Sequence, residues 1–152
     1  MSGMGTRRQA REWAVQFLFQ RDFNPDDLDI ALEDFWCDKT PDPRARMFTE
    51  TLVRGVETHR GALDDLIQKY AEHWDVKRMG AVDRNVMRIA LYEMLHCDDI
   101  PPIVSIDEAV EIAKAYSNFE SGRFVNGILD RALQDIHRSH REAGGGSGKD
   151  GT

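Results

Sequence analysis

Three arginines near the amino terminus are the residues of this sequence best suited to bind a charged ligand. Arg7, Arg8 and Arg11 occur with no acidic residue among or before them. Guanidinium groups offer phosphates both charge and a fork of N–H donors, and a nearby aromatic ring can stack on an unpaired base. Because a run of like charges is more often a solvated surface, the arginines alone favour that interpretation over a phosphate site.

The remaining candidates for chemistry form no pattern that indicates an active site. His137 and His140 have a spacing that could hold a metal, but they lie near the end of the last predicted helix without a third ligand. The paired acids Asp64-Asp65 and Asp98-Asp99 lie in segments typical of a helix surface and a turn, where burial would not tune them for acid–base work. We therefore expect no enzyme, no metal and no cofactor.

The composition is that of one soluble globular domain. The 152 residues include 41% hydrophobic and 31% charged side chains, enough to bury a core without disulfides or structural metal. The net charge of -7 argues against a protein that coats nucleic acid through its overall charge. With only Cys37 and Cys97, no basic-then-apolar leader and no membrane-length apolar run, we expect a reducing cytoplasm and no membrane association.

Charge is distributed unevenly along the chain. From Asp22 to Asp38 there are seven acidic residues and no basic one. This segment would repel phosphates, so any nucleic-acid surface must be local and must include the arginines.

Apolar residues at helical spacing predict an all-α fold of about seven helices. Helix starts are indicated by Thr6 with Gln9, Asn24-Pro25, Asp42-Pro43, Ser105 with Glu108, and Ser121. The apolar face after His59 continues to about Glu72, either as a fourth helix or as the third one bent. Residues 1–142 form the predicted helical domain, and residues 143–152 a flexible Gly-rich tail.

The segment from Val82 to His96 is the most apolar predicted helix and should lie at the centre of the fold. Glu93 falls among its apolar positions. Because a buried carboxylate needs a partner, we predict an arginine from a neighbouring helix beside Glu93.

Two residues of the last predicted helix bear on function and packing. Phe124 shares the helical period of Ile128 and Leu129, which favours the core, although it directly follows Arg123 at the helix start. Gly127 interrupts the apolar face, so we expect it to lie close to another helix and Gly127→Leu to destabilise the fold by overpacking.

Three motifs in this order resemble the NusB family of bacterial transcription antitermination factors. They are Arg7-Arg8-Gln9-Ala10-Arg11-Glu12 with Ala14-Val15-Gln16, Val82-Asp83-Arg84 with Arg88-Ile89-Ala90-Leu91-Tyr92-Glu93, and Phe124-Val125-Asn126-Gly127-Ile128-Leu129-Asp130. The similarity extends from Arg7 to about Ile136. It implies two small packed helical bundles and a protein that binds boxA RNA with NusE, a small-subunit ribosomal protein. It also implies a link to the RNA polymerase elongation complex through other Nus factors, notably on ribosomal RNA operons.

The resemblance further implies roles for individual residues. The RNA-binding residues would be Arg7, Arg8, Arg11, Arg123 and Phe124, and the partner-binding residues Phe19 and Asp83. Phe19 stands where the family commonly has tyrosine, which removes a hydroxyl. Residues 1–142 would then be one RNA-binding domain, and self-association is a further expectation because homodimers are known in the family.

Two other classes of protein remain open at this point. Related helical domains precede the catalytic domain of some ribosomal RNA methyltransferases, but no strand-rich, glycine-marked cofactor domain follows here. A helical module that binds only proteins would be favoured if the acidic second helix neutralised the arginines.

Overall fold

The computed structural model describes the backbone of residues 3–72 and 74–150, and the side chains of residues 5–72 and 74–138. The α-helices are α1 (Gly3–Arg21), α2 (Leu28–Trp36), α3 (Pro43–Ala71), α4 (Ala81–His96), α5 (Pro102–Tyr116) and α6 (Phe119–Asp150), and a short 3-10 turn (Val76–Arg78) joins α3 to α4. No strand occurs among these residues. The predicted all-α class is confirmed.

The described residues form six α-helices instead of about seven, because the third and fourth predicted helices are one. At His59 the backbone has φ −106° and ψ 16°, which departs from helical values and bends α3. The bent third helix is one of the two alternatives that the sequence left open.

The start of α3 confirms the expected signal at Asp42-Pro43. The Asp42 side chain accepts hydrogen bonds from the backbone N–H groups of Arg44 and Ala45, at 2.8 and 3.4 Å. Pro43 occupies the first turn, where its missing N–H has no intrahelical partner to lose.

The other helix starts lie elsewhere than predicted. Thr6, Ser105 and Ser121 each fall inside a helix that begins earlier, and α2 begins at Leu28 behind an Asp27 cap instead of at Pro25. In α6 the Asn118 side chain accepts the Ser121 N–H at 2.8 Å. At the starts of α2 and α6, a nearby residue thus makes the capping hydrogen bond in place of the expected one.

Helix α4 lies at the centre of the fold, as predicted. It packs against α1, α3, α5 and α6, and Met87 and Leu91 are completely buried along it. Such burial is the main favourable contribution to folding. It also makes α4 the support against which α1 and α5 hold their charged residues.

Asp22, directly after α1, connects that helix to α3 and α4. Arg60 donates to its Oδ1 at 2.7 Å, and Arg84 and Asn85 each donate to its Oδ2 at 3.3 Å. Burial raises the pKa of Asp22, but the hydrogen bonds from Arg60 and Asn85 and the charge of Arg60 outweigh it, so the pKa lies below its usual value.

We expect Asp22 to make the protein sensitive to acid. A lowered folded-state pKa gives stability that is complete above the unfolded-state value of 3.8 and is lost as pH falls through the folded value. Asp22→Asn should lower the free energy of unfolding by about 1–3 kcal/mol near neutral pH. Denaturant titrations should show this difference shrinking below about pH 4. A difference that is the same in acid would contradict the assignment.

Gly127 is not a close-packing residue, so the expected overpacking by Gly127→Leu is wrong. It is exposed, and beyond its own helix backbone a Cβ built on it would meet no heavy atom of the described residues within 4 Å. The close approach occurs at Gly55 in α3, where a Cβ would collide with the Tyr92 ring of α4. The helical period does not reveal this, because it cannot show which glycine faces a ring on another helix.

The helical backbone of α6 extends to Asp150, past the boundary predicted at residue 142. The flexibility of residues 143–152 stays a prediction. None of the described helices has the length and apolar character needed to cross a membrane.

Candidate nucleic-acid interface

The amino-terminal part of α1 presents two arginines at the surface. The side chains of Arg7 and Arg8 are 43% and 44% exposed. Arg7 Nη2 donates to Asp99 Oδ2 at 3.2 Å, and Arg8 Nε donates to Glu108 Oε2 at 2.5 Å. The hydrogen bond to Glu108 raises the pKa of Arg8. Among the described side chains each arginine thus donates to one carboxylate, and Glu111 and Glu12 also lie near Arg8. Further N–H groups remain on both guanidiniums for a phosphate.

Contacts with α3 fix the position of Arg7 and Arg11 on α1. Thr49 Oγ1 of α3 donates to the Ala10 carbonyl at 3.0 Å, and the small Ala10 side chain is fully buried. One turn apart on α1, the guanidinium carbons of Arg7 and Arg11 lie 4.9 and 5.4 Å from the centre of the Phe48 ring. The helical period therefore places Arg7 at the edge of the α1–α3 contact and Arg11 inside it.

Arg11 is buried, and the sequence-based description of it as an exposed residue is wrong. Its side chain is 4% exposed, and Nε and Nη2 donate to the two carboxylate oxygens of Glu93 at 2.9 and 2.7 Å. Ser105 Oγ donates to the same carboxylate at 2.8 Å. The predicted arginine partner of Glu93 is thereby confirmed. This geometry gives Arg11 the role of holding α1 against α4.

Tyr116, at the end of α5, adds an aromatic ring that the sequence analysis missed. Its hydroxyl donates to Glu12 Oε2 at 2.7 Å, and Gln16 Nε2 donates to it at 3.5 Å. The hydrogen bond to Glu12, together with burial, raises the pKa of Tyr116. Its spacing from Ala109, Ile112 and Ala113 continues an apolar helical stripe and predicts burial, yet its ring is exposed. Its position in the last turn was the available signal, because a stripe often leaves the core there.

Arg123 and Phe124 lie in the first turns of α6. The Arg123 side chain is exposed and lies 3.8 Å from Glu120. Phe124 is half-buried against the core, and its ring meets that of Trp74 edge-on, with centroids 6.0 Å apart. The sequence places Trp74 in a short connector, where an apolar ring is expected to pack, and this expectation is wrong because Trp74 is 63% exposed. Together the two rings form an aromatic pair at the surface.

The two predicted partner-binding residues have different surroundings. Phe19 is exposed near the end of α1, with its ring centroid 5.8 Å from that of Phe23. Asp83 lies in the first turn of α4, where its Oδ1 is buried and has no hydrogen-bond partner among the described residues. Burial raises the pKa of Asp83, and an interaction with Ser121 opposes the shift. An unpaired buried carboxylate oxygen is costly, so Asp83 is a residue to which a partner could supply a donor.

The predicted RNA-binding residues fall into two clusters. Arg7 and Arg8 contact the α4–α5 connection and α5, whereas Phe124 contacts Trp74. In the described part of the chain, no hydrogen bond, ion pair or ring contact joins the two clusters.

Of the two histidines considered as a metal site, His137 is exposed near the end of the described side chains. The His140 side chain lies outside the described residues. Within the described side chains no group of three metal-ligating residues occurs. The predicted absence of a metal stays a prediction.

Comparisons with known proteins find relatives over almost the whole chain. A sequence model of the NusB family matches residues 8–134. The transcription antitermination protein NusB of Desulfosudis oleivorans is 45% identical over 142 residues, covering 91% of this chain and 92% of its own. The protein of the same name from Myxococcus xanthus is 43% identical, covering 89% and 99%.

Solved structures also match most of this chain. T. maritima NusB has a TM-score of 0.76 and 46% sequence identity, covering 82% of this chain and 88% of its own. A chain in the crystal structure of antitermination factors NusB and NusE in complex with dsRNA has a TM-score of 0.78. At 24% identity, with 87% and 98% covered, that likeness concerns the fold.

Proposed function

This chain belongs to the NusB family of transcription antitermination proteins, and we propose that it binds boxA RNA together with NusE. The complex would join RNA polymerase through other Nus factors and favour elongation, notably on ribosomal RNA operons. The observation that carries the RNA-binding part is the exposed pair Arg7 and Arg8 at the start of α1. The division of the helices into two small bundles and a location in the cytoplasm belong to the same proposal.

Local charge and an exposed aromatic surface suit single-stranded RNA. Arg7 and Arg8 would bind phosphates, and Arg123 with Phe124 would bind a further nucleotide by charge and stacking. The net charge of -7 opposes RNA elsewhere on the molecule. Binding by the protein alone is therefore weak, and NusE strengthens it by adding its own contacts.

NusE would contact the surface that includes Phe19 and Asp83. Phe19 offers an exposed ring, and Asp83 carries a buried carboxylate oxygen without a donor among the described residues. A donor from NusE would satisfy this oxygen after a small movement of α4 or α6. Self-association through another surface is compatible with this arrangement.

The alternative of a module that binds only proteins required the acidic second helix to neutralise the arginines. In the structure Asp29 of α2 pairs with Arg54 of α3 instead. The carboxylates beside Arg7 and Arg8 are Asp99 and Glu108, outside α2. That alternative is therefore not favoured. The methyltransferase alternative is not favoured because the relatives matched over almost their whole length are antitermination proteins. The proposal assigns this protein a binding role without catalysis.

Replacing Arg7 and Arg8 together by alanine should weaken binding to boxA RNA by about tenfold or more, because each loses charge-assisted hydrogen bonds to phosphate. The dependence of affinity on salt should also become shallower, by roughly 0.7 in the log–log slope for each phosphate that the variant no longer neutralises. Fluorescence anisotropy with labelled boxA RNA and saturating NusE, at several salt concentrations, measures both quantities.

The matched control removes two arginines from the outer face of α3, with Arg46 and Arg54 both replaced by alanine. These side chains are each 48% exposed, and the charge change is the same. Because Arg8→Ala leaves the buried Glu108 without its cation, melting temperatures are measured first. An equal loss of affinity in the control would show that net charge, and not this site, determines binding.

A further inference from the structure

The two exposed arginines of α1 hold their carboxylates differently. Glu108 is 7% exposed, and Arg8 reaches it through Nε, while neither Nη nitrogen has a hydrogen-bond partner among the described residues. Separating Arg8 from Glu108 would leave a buried carboxylate without its cation, which is costly. Arg8 can therefore bind a phosphate through Nη while it keeps Glu108.

The pair of Arg7 and Asp99 has the opposite character. Asp99 is 71% exposed in the connection between α4 and α5, and its hydrogen bond uses a terminal Nη of Arg7. Water can replace this bond at little cost, since exposed ion pairs contribute little to stability. The guanidinium would still be held by the Phe48 ring, 4.9 Å away. A phosphate can thus take the place of Asp99 without disturbing the helix.

We propose that Asp99 is an intramolecular competitor of RNA, which occupies Arg7 in the free protein and must be displaced by an RNA phosphate. This inference rests on the proposed RNA-binding function. Carboxylate and phosphate oxygens compete for the same N–H donors, and the displaced carboxylate stays close enough to repel the phosphate. Asp99 thereby lowers the affinity of this end of α1 for RNA and leaves room for NusE to increase it.

Asp99 should also alter the salt dependence of binding. A phosphate neutralised by Arg7 releases counterions from the RNA, but the freed Asp99 attracts cations back. The net number of cations released on binding is therefore smaller than for an arginine that has no competing carboxylate. Removing the carboxylate should therefore steepen the log–log salt slope, by at most about 0.7 for one phosphate on a single strand.

The test compares Asp99→Asn with Asp98→Asn, each alone and combined with Arg7→Ala. Asp98 is the adjacent residue, is exposed and makes no hydrogen bond or ion pair among the described residues, so its replacement changes net charge by the same amount. Affinity for labelled single-stranded boxA RNA is measured by fluorescence anisotropy, with and without NusE, over a range of salt concentrations.

Asp99→Asn should bind about 2–5-fold more tightly than the parent and show the steeper salt slope, which corresponds to the strength of an exposed ion pair. Asp98→Asn should change affinity less, and the gain from Asp99→Asn should vanish when Arg7 is alanine. An equal gain in Asp98→Asn, a gain that persists without Arg7, or weaker binding by Asp99→Asn would each overturn the inference. If the parent binds no RNA even with NusE, the proposed function fails as well.

Discussion

Arg11→Ala should lower the free energy of unfolding by about 3–5 kcal/mol, because it removes one partner of a buried ion pair. Glu93 is 1% exposed, and without Arg11 the one donor left to its carboxylate among the described residues would be the hydroxyl of Ser105. The substitution also removes the guanidinium that packs over Phe48. Chemical denaturation at neutral pH measures the loss.

Two comparisons separate the ion pair from other effects of the substitution. Arg7→Ala removes an exposed arginine one turn away and should cost about 0–1 kcal/mol. The double variant Arg11→Met with Glu93→Leu leaves no uncompensated charge, so it should be more stable than Arg11→Ala. A melting temperature for Arg11→Ala equal to that of the parent would contradict the structural role. RNA affinity per folded molecule should change little, since this guanidinium is covered.

The pair formed by Arg11 and Glu93 shows what could be predicted from the sequence and what could not. An acid at an apolar position of α4 could be predicted to need an arginine, because burying an unpaired carboxylate is unfavourable. Which arginine it would be could not be predicted, because the two residues are 82 positions apart. Packing against α4 also determines which of the three arginines near the start of α1 is buried, and composition does not show which one it is.

Ser105 and Glu108 explain why helix starts were harder to predict than helix faces. Their spacing matches a local capping box, yet Ser105 donates to Glu93 of α4 and Glu108 accepts from Arg8 of α1. Residues on α4 and α1 thus bind the polar groups that the local capping box would have used. At Asp42 no such competitor is present in the hydrogen bonds of the described chain, and the local signal was correct.

The sequence did not predict that the rings of Trp74 and Tyr116 are exposed. Tyr116 continues the apolar helical face of α5, and Trp74 is a large apolar side chain in a short connector, so the sequence favours packing for both. In the structure Tyr116 binds Glu12 across a helix contact, and Gln68 holds the Trp74 backbone by donating to its carbonyl at 2.7 Å. Tyr116 is thus positioned by a residue 104 positions away and the Trp74 backbone by one six positions away, so the exposure of neither ring follows from helical spacing.

Phe124→Ala should lower both RNA affinity and stability, each by about 1–3 kcal/mol. The missing stack on one base accounts for the first, since such stacking contributes about 1–3 kcal/mol. The second follows because Phe124 is half-buried, so its truncation should cost less than the roughly 3–5 kcal/mol of a fully buried phenylalanine. Anisotropy titrations with boxA RNA and NusE, and denaturant titrations, measure the two effects separately.

Leu129→Ala is the matched control on the same helix, because Leu129 is fully buried and has no path to RNA. It should cost about 2–5 kcal/mol of stability and leave RNA affinity per folded molecule unchanged. Trp74→Ala removes the exposed ring that meets Phe124 edge-on, and it should reduce stability only slightly. Should Phe124→Ala behave like Leu129→Ala, with lower stability at constant affinity, Phe124 would belong to the core alone. The RNA surface would then depend on the arginines, with Arg7 and Arg8 at its centre.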